Sequence, residues 1–152
     1  MGVVLALDVG DRRIGVAKSD ALGMLASPLT TLERRRDRET CAEIARLVSE
    51  YAVETVVVGL PKMLNNTVGI QAEKVLRFVE GLKSVLTVPV VTWDERLTTT
   101  EATRLLRPEV ESGRRVGSSK KRQRYIKANV DQVAATLLLE SYLAASRGKA
   151  GA

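Results

Sequence analysis

The apolar run Val3-Val4-Leu5-Ala6-Leu7 leads directly into Asp8, so a carboxylate stands at the end of what reads as a buried β-strand. Placing an ion in apolar surroundings costs several kcal/mol unless it is paired, hydrogen-bonded or bound to a metal. Two later acids stand in comparable places: Glu95, just past an apolar run ending at Trp93, and Asp131, at the start of a helical pattern. Together Asp8, Glu95 and Asp131 read as one site for divalent cations. The chain contains no histidine and a single cysteine, Cys41. Ser-His-Asp and Cys-His nucleophile systems are therefore excluded, as are zinc sites that need imidazole and disulfide frameworks. Any hydrolysis must run on carboxylates, lysine, hydroxyls or metal.

Each acid also has a plainer reading. Asp8 can cap the turn at Gly10 through its side chain. Glu95 can pair with Arg96 or Arg12, and Asp94 is its rival as a ligand. Asp131 is favoured near a helix N-terminus by the helix dipole alone. Glu101 is explained by a capping box with Thr98, and Asp20 by a turn.

Positive charge is the second signal. The net charge is +6. Between Arg107 and Lys127 eight basic residues (Arg107, Arg114, Arg115, Lys120, Lys121, Arg122, Arg124 and Lys127) face only Glu109 and Glu111. Arg34-Arg35-Arg36 and Arg38 form a second cluster. Such concentrations read as a footprint for a polyanion, against the alternative of a loop kept soluble by charge. Aromatic residues are only 3% of the chain, which favours contact with a nucleic-acid backbone over base stacking.

The elements that must carry these residues follow from patterning. Residues 3–9 and 13–19 read as an antiparallel hairpin turning at Gly10-Asp11-Arg12. A third strand spans Gly23 to Leu32, at an edge or bent because of Pro28. Asp37 is expected to cap a helix to about Tyr51, with Ile44, Ala45, Leu47, Val48 and Tyr51 on its apolar side. A buried strand covers Thr55 to Val58. A helix opened by Thr67 buries Val75, Phe78, Val79 and Leu82, and Val88 to Trp93 makes a fifth strand. Thr98 starts a helix that stops before Pro108, and the basic stretch follows as a loop. The final helix begins at Asn129, with Val130, Val133, Ala134, Leu137, Leu138 and Ser141 as its inner stripe. The resulting fold class is α/β, a mixed five-stranded sheet flanked by helices, in one domain over 1–145 with a frayed tail over 146–152. No apolar run approaches the ~18 residues of a membrane span, and a reducing cytoplasm suits the lone cysteine.

Four ordered segments sharpen this reading: Asp8-Val9-Gly10 through Gly15-Val16-Ala17 with Ser19-Asp20, then Gly59-Leu60-Pro61, Asp94-Glu95-Arg96-Leu97-Thr98-Thr99, and Asp131-Gln132-Val133-Ala134-Ala135. They resemble the YqgF/RuvX family, relatives of the Holliday junction resolvase RuvC in the ribonuclease H-like superfamily, over residues 3 to 143. The resemblance implies a ribonuclease H-like fold and a metal-dependent phosphodiesterase, with Asp8, Glu95 and Asp131 as its acids. Where the family usually has a glycine before Thr67, this chain has Asn66, which tolerates a left-handed turn.

The implied chemistry suits the residues. Phosphodiester hydrolysis needs charge stabilisation at the attacking water, the leaving oxygen and the phosphoryl oxygens. Two Mg²⁺ or Mn²⁺ ions roughly 3.5–4 Å apart, held by carboxylate oxygens, supply it. Arg96 can steady the scissile phosphate, and Arg114, Arg115, Lys120, Lys121, Arg122, Arg124 and Lys127 can bind the surrounding backbone. Within the resemblance the expected substrate is the 5′ end of precursor 16S ribosomal RNA or, alternatively, a Holliday junction, for which symmetric cutting requires a homodimer. A non-catalytic nucleic-acid-binding protein is the other class. An actin-like phosphotransferase is disfavoured because 152 residues leave no room for a second domain.

Overall fold

The computed structural model describes residues 2–61, 69–94 and 130–150. The expected helix from Thr98, the basic stretch, the Asn65-Asn66-Thr67 segment, Glu95 and Arg96 lie outside the described residues.

Strands β1 (Val3–Val9) and β2 (Arg13–Ser19) form the antiparallel hairpin expected from the sequence. Its turn is closed by the Gly10 N–H donating to the Arg13 carbonyl at 2.9 Å. β3 (Ala26–Glu33) pairs antiparallel with β2 and lies at the sheet edge, with its register shifting beside Pro28, where the missing N–H is tolerated. β4 (Val53–Leu60) and β5 (Val90–Asp94) add in parallel on the other side of β1, giving the order β3-β2-β1-β4-β5.

Strand side chains alternate between faces, so each strand divides its residues between two cores. Leu5, Leu7, Val9, Ile14, Val16, Val56 and Val58 face helices α1 (Asp37–Glu50) and α2 (Ile70–Val85), which contribute Ile44, Leu47, Val75, Phe78, Val79 and Leu82. Val4, Ala6, Ala17 and Val57 face helix α3 (Val130–Ala150), which contributes Ala135, Leu138, Leu139 and Leu143. Burial on both faces explains why β1 and β4 are nearly continuous apolar runs. Where the faces meet the hairpin's far end, the Val4 N–H donates to the buried Ser19 Oγ at 2.8 Å, and that hydroxyl donates to the Asp20 carbonyl.

Four sequence expectations need correction. Asp37 does not cap α1: Arg36 is the N-cap residue and makes no side-chain cap. Thr40 Oγ1 instead accepts the Arg35 N–H at 3.2 Å and donates to the Arg36 carbonyl, while Asp37 pairs with Arg34 at 3.4 Å. Helix α2 begins at Ile70 behind an N-cap Gly69, not at Thr67. The inner stripe of α3 is only partly the expected one: Leu137 and Leu138 are buried as expected, but Val130 is 41% exposed, and Ala135, Leu139 and Leu143, outside the expected stripe, are buried. Lastly, α3 runs on to Ala150, where residues 146–152 read as a frayed tail. Among the described residues, no helix is long and apolar enough to cross a membrane.

Candidate active site

Asp8 is the next residue after Val4 and Ala6 on the α3 side of β1, and its register partner on β2 is Gly15. Side chains of paired residues share a face, so whatever rests on Gly15 lies beside Asp8. What rests there is the first turn of α3. A Cβ built on Gly15 would run into the Asp131 carbonyl and approach the Asp131 Cα to 3.0 Å. Only a residue without a side chain lets the helix come this close. The other register partner of Gly15 is Thr31 on β3, whose Oγ1 accepts a hydrogen bond from Gln132 Nε2 at 3.0 Å. Gly15 is therefore a seat, with Asp8 on one side, the Thr31–Gln132 bond on the other and Asp131 above.

The corrected phase of α3 accounts for this placement. Asp131 lies one helical turn before Ala135, on the stripe that continues through Leu138, Leu139 and Tyr142 against the sheet. Farther along, Trp93 Nε1 donates to Ser141 Oγ at 3.0 Å, and the Trp93 and Tyr142 rings meet edge to face at 5.5 Å. The helix is thus pinned to β3 at its start and to β5 in its fourth turn.

Asp131 also has a cation beside it. Arg13 Nε lies 3.4 Å from Asp131 Oδ2, with the two side chains 64% and 27% exposed. Arg13 precedes Gly15 by two residues and so shares its face. Sequence reasoning left Arg13 without a role. The available signal was its parity with Gly15, which is informative only once the first turn of α3 is known to lie there.

Of the predicted acids, the structure brings Asp8 and Asp131 to one face. Asp94 closes β5 opposite Leu60, on the parity of Val90 in the α1/α2 core, whereas Val91 and Trp93 pack toward α3. The rival ligand therefore belongs to the face away from Asp8. Glu95 lies outside the described residues, and among those described no group of three Asp, Glu, Cys or His side chains is gathered to hold a metal ion.

The turn below Asp8 is held by a residue the sequence assigned to the polyanion footprint. Arg34 is only 12% exposed. Its N–H donates to the Arg12 carbonyl at 2.8 Å, its Nη1 donates to the Gly10 carbonyl at 3.0 Å, and its guanidinium lies over the Phe78 ring at 5.2 Å. These contacts make Arg34 a strut beneath the β1–β2 turn. Asp20 is the turn residue expected: its Oδ1 accepts the Met24 N–H at 2.7 Å, and that hydrogen bond is the chief reason its carboxyl is held below the ordinary 3.8.

Comparison with known proteins gives the family and the fold. The profile of the RuvX family, described as Holliday junction resolvase, matches residues 2–145. A protein of Thermoanaerobacter pseudethanolicus named "Putative pre-16S rRNA nuclease" is 42% identical over 146 residues, covering 96% of this chain and 99% of its own. A protein of the same name from Caldanaerobacter subterraneus subsp. tengcongensis is 48% identical over 140 residues, 92% of this chain and 94% of its own. Among solved structures, T. thermophilus RuvC in complex with Holliday junction substrate aligns with a TM-score of 0.58 at 14% identity, over 96% of this chain and 97% of that one. The fowlpox virus Holliday junction resolvase aligns with a TM-score of 0.52 at 12% identity, over 94% and 99%. At such identities the likeness is one of fold, and the fold is the RuvC-like form of the ribonuclease H architecture. Since the profile runs from before β1 to within α3 and so takes in both acids seated around Gly15, the chain belongs to the RuvX family.

Proposed function

We propose that this protein is a divalent-metal-dependent nuclease that hydrolyses phosphodiester bonds in structured nucleic acid, with the 5′ end of precursor 16S ribosomal RNA in the cytoplasm as its substrate. The observation that carries this reading is the seat at Gly15, which sets the carboxylates of β1 and α3 on one face at one end of the sheet. Family membership and the names of the relatives support the reaction class, and the seat supports Asp8 and Asp131 as two of its acids.

The donor set suits a hard cation. Asp8 and Asp131 offer only carboxylate oxygens, the chain has no histidine, and its one cysteine, Cys41, is buried in the core on the other face of the sheet. Such donors fit Mg²⁺ or Mn²⁺ and not zinc. Asp8, Asp131 and Glu95 are the residues that would hold the ions, which supply charge stabilisation for the attacking and leaving oxygens of the phosphate. The parity of Asp94 favours Glu95 as the third acid. In this reading Arg96 would contact the scissile phosphate, and Arg114, Arg115, Lys120, Lys121, Arg122, Arg124 and Lys127 would bind the surrounding backbone, in a binding mode dominated by phosphate contacts.

The second reading is resolution of branched DNA, favoured by the family's own description and by the fold shared with RuvC over nearly the whole of both chains. Symmetric incision of a four-way junction needs two centres and therefore a two-fold dimer. The deciding experiment incubates the protein and its Asp8→Asn variant with precursor 16S ribosomal RNA and with a four-way DNA junction in Mg²⁺ or Mn²⁺. Cleavage of the RNA by the unmodified protein alone supports the first reading. Cleavage of the junction alone supports the second, and cleavage of neither leaves the non-catalytic binder as the better description.

A further inference from the structure

Arg13 is ion-paired with Asp131, one of the two described acids that the proposed site would use. The pair does little for the fold. An exposed ion pair contributes little net stability, Arg13 is 64% exposed, and the 3.4 Å approach is made by Nε alone. The first turn of α3 is already secured by the Gly15 seat and the Gln132–Thr31 bond. What the pair does is place a largely exposed guanidinium side chain beside one acid of the proposed centre.

We propose that Arg13 is both a counter-ion of the metal-free centre and a substrate-binding residue of the working one. This inference rests on the nuclease reading above. Without a divalent ion, the guanidinium neutralises part of the charge at Asp131. A dication held by the same carboxylate repels Arg13 and weakens its pairing, because the carboxylate charge is then shared between two cations. A guanidinium loosened at that spot is suited to a phosphate oxygen: it is planar, always protonated and able to donate two parallel hydrogen bonds. Arg13 would thereby oppose cation binding and promote substrate binding. A residue that merely held α3 in place would affect both in the same direction.

That opposition of sign is the test. Titration of the full-length protein with Mn²⁺ alone by calorimetry should show Arg13→Gln binding the ion several-fold more tightly than the unmodified protein. Arg13→Lys keeps the charge and should remain close to it. Under saturating Mn²⁺, Arg13→Gln should nevertheless cleave roughly ten-fold or more slowly at limiting substrate, as expected on losing one charge-assisted contact to the phosphate. Equal or weaker Mn²⁺ binding by Arg13→Gln overturns the proposal, and so does tighter binding with undiminished cleavage. If the unmodified protein binds no Mn²⁺, the metal-site reading fails and this inference fails with it. Unchanged affinity in Arg13→Gln, by contrast, defeats Arg13 alone.

Discussion

The two faces of the sheet are built from the same strands but to different specifications. Toward α1 and α2, β1 and β2 present Leu5, Leu7, Ile14 and Val16, with Phe78 and Ile44 filling the space opposite. Toward α3 the same strands present Ala6, Gly15 and Ala17, with Asp8 and Arg13 at the end. Large side chains on the first face bury area and hold their helices at ordinary packing distance. Small ones on the second face give up area and let a helix backbone rest on the strand. The first face supplies stability, whereas the second supplies proximity between groups far apart in the chain. The proposed site lies on the less richly packed side, because there a helix can carry an acid up to a strand that carries another.

This contrast gives predictions that separate the faces, beginning with the largest effect on turnover. Asp8→Asn should lower Mn²⁺- or Mg²⁺-supported cleavage by about 10²–10³-fold, the scale of removing one charge-stabilising group from a reacting centre. Its melting temperature should not fall, and substrate binding measured in EDTA should be retained. Normal cleavage by this variant would remove Asp8 from the chemistry and leave the α3 face a packing surface like the other.

Gly15→Ala tests the seat itself. The added methyl meets the Asp131 backbone, so the start of α3 must lift. A cost of about 1–3 kcal/mol is expected from overpacking. Cleavage should fall roughly 10²-fold, because displacing a catalytic group by about an ångström has that effect. A variant as stable and active as the parent would show that the close approach is dispensable.

Ile44→Ala on the opposite face should reverse the pattern. Ile44 is fully buried in α1, and truncation should cost about 2–5 kcal/mol in denaturant unfolding. Activity per folded molecule should be unchanged. If it falls as far as in Gly15→Ala, the faces are not separable.

The smallest effect is expected at Asp20, in the turn that follows β2. Its folded carboxyl is lowered chiefly by the Met24 N–H, so the stability it contributes is present above 3.8 and lost as pH falls through the lowered value. The melting-temperature difference between the parent and Asp20→Asn should therefore be constant at neutral pH and shrink on acidification. A difference that grows toward low pH would contradict this assignment.

Much of this arrangement was readable from residue order. The β1–β2 hairpin emerged with its observed ends because Gly10 punctuates two runs rich in β-branched residues. The edge position of β3 followed from Pro28, and the buried side of α2 from the spacing of Val75, Phe78, Val79 and Leu82. The phase of α3 was only partly readable: Leu137 and Leu138 face inward as expected, but the stripe through Ala135, Leu139 and Leu143 was missed. Leu137-Leu138-Leu139 is apolar in three successive directions around the helix, so periodicity alone does not choose a face. The decisive residue is Ala135, buried because small residues oppose it on the sheet. The start of α1 was misread for a related reason: an aspartate is a good cap in general, but here the Thr40 hydroxyl reaches back across the first turn. Arg34 and Arg13 look alike in a string of arginines. Only the fold distinguishes the strut beneath a turn from the guanidinium beside an acid.

The contact between Gly15 and Asp131 also orders events in time. β1 and β2 are synthesised early, and the partner that would complete the proposed centre arrives only when the stretch holding residues 130–143 has emerged and docked. A nascent or truncated chain can have its hairpin, its first two helices and most of its apolar interior while remaining chemically silent. If the chain is the nuclease proposed above, such a delay withholds its acidic pair until synthesis is nearly finished.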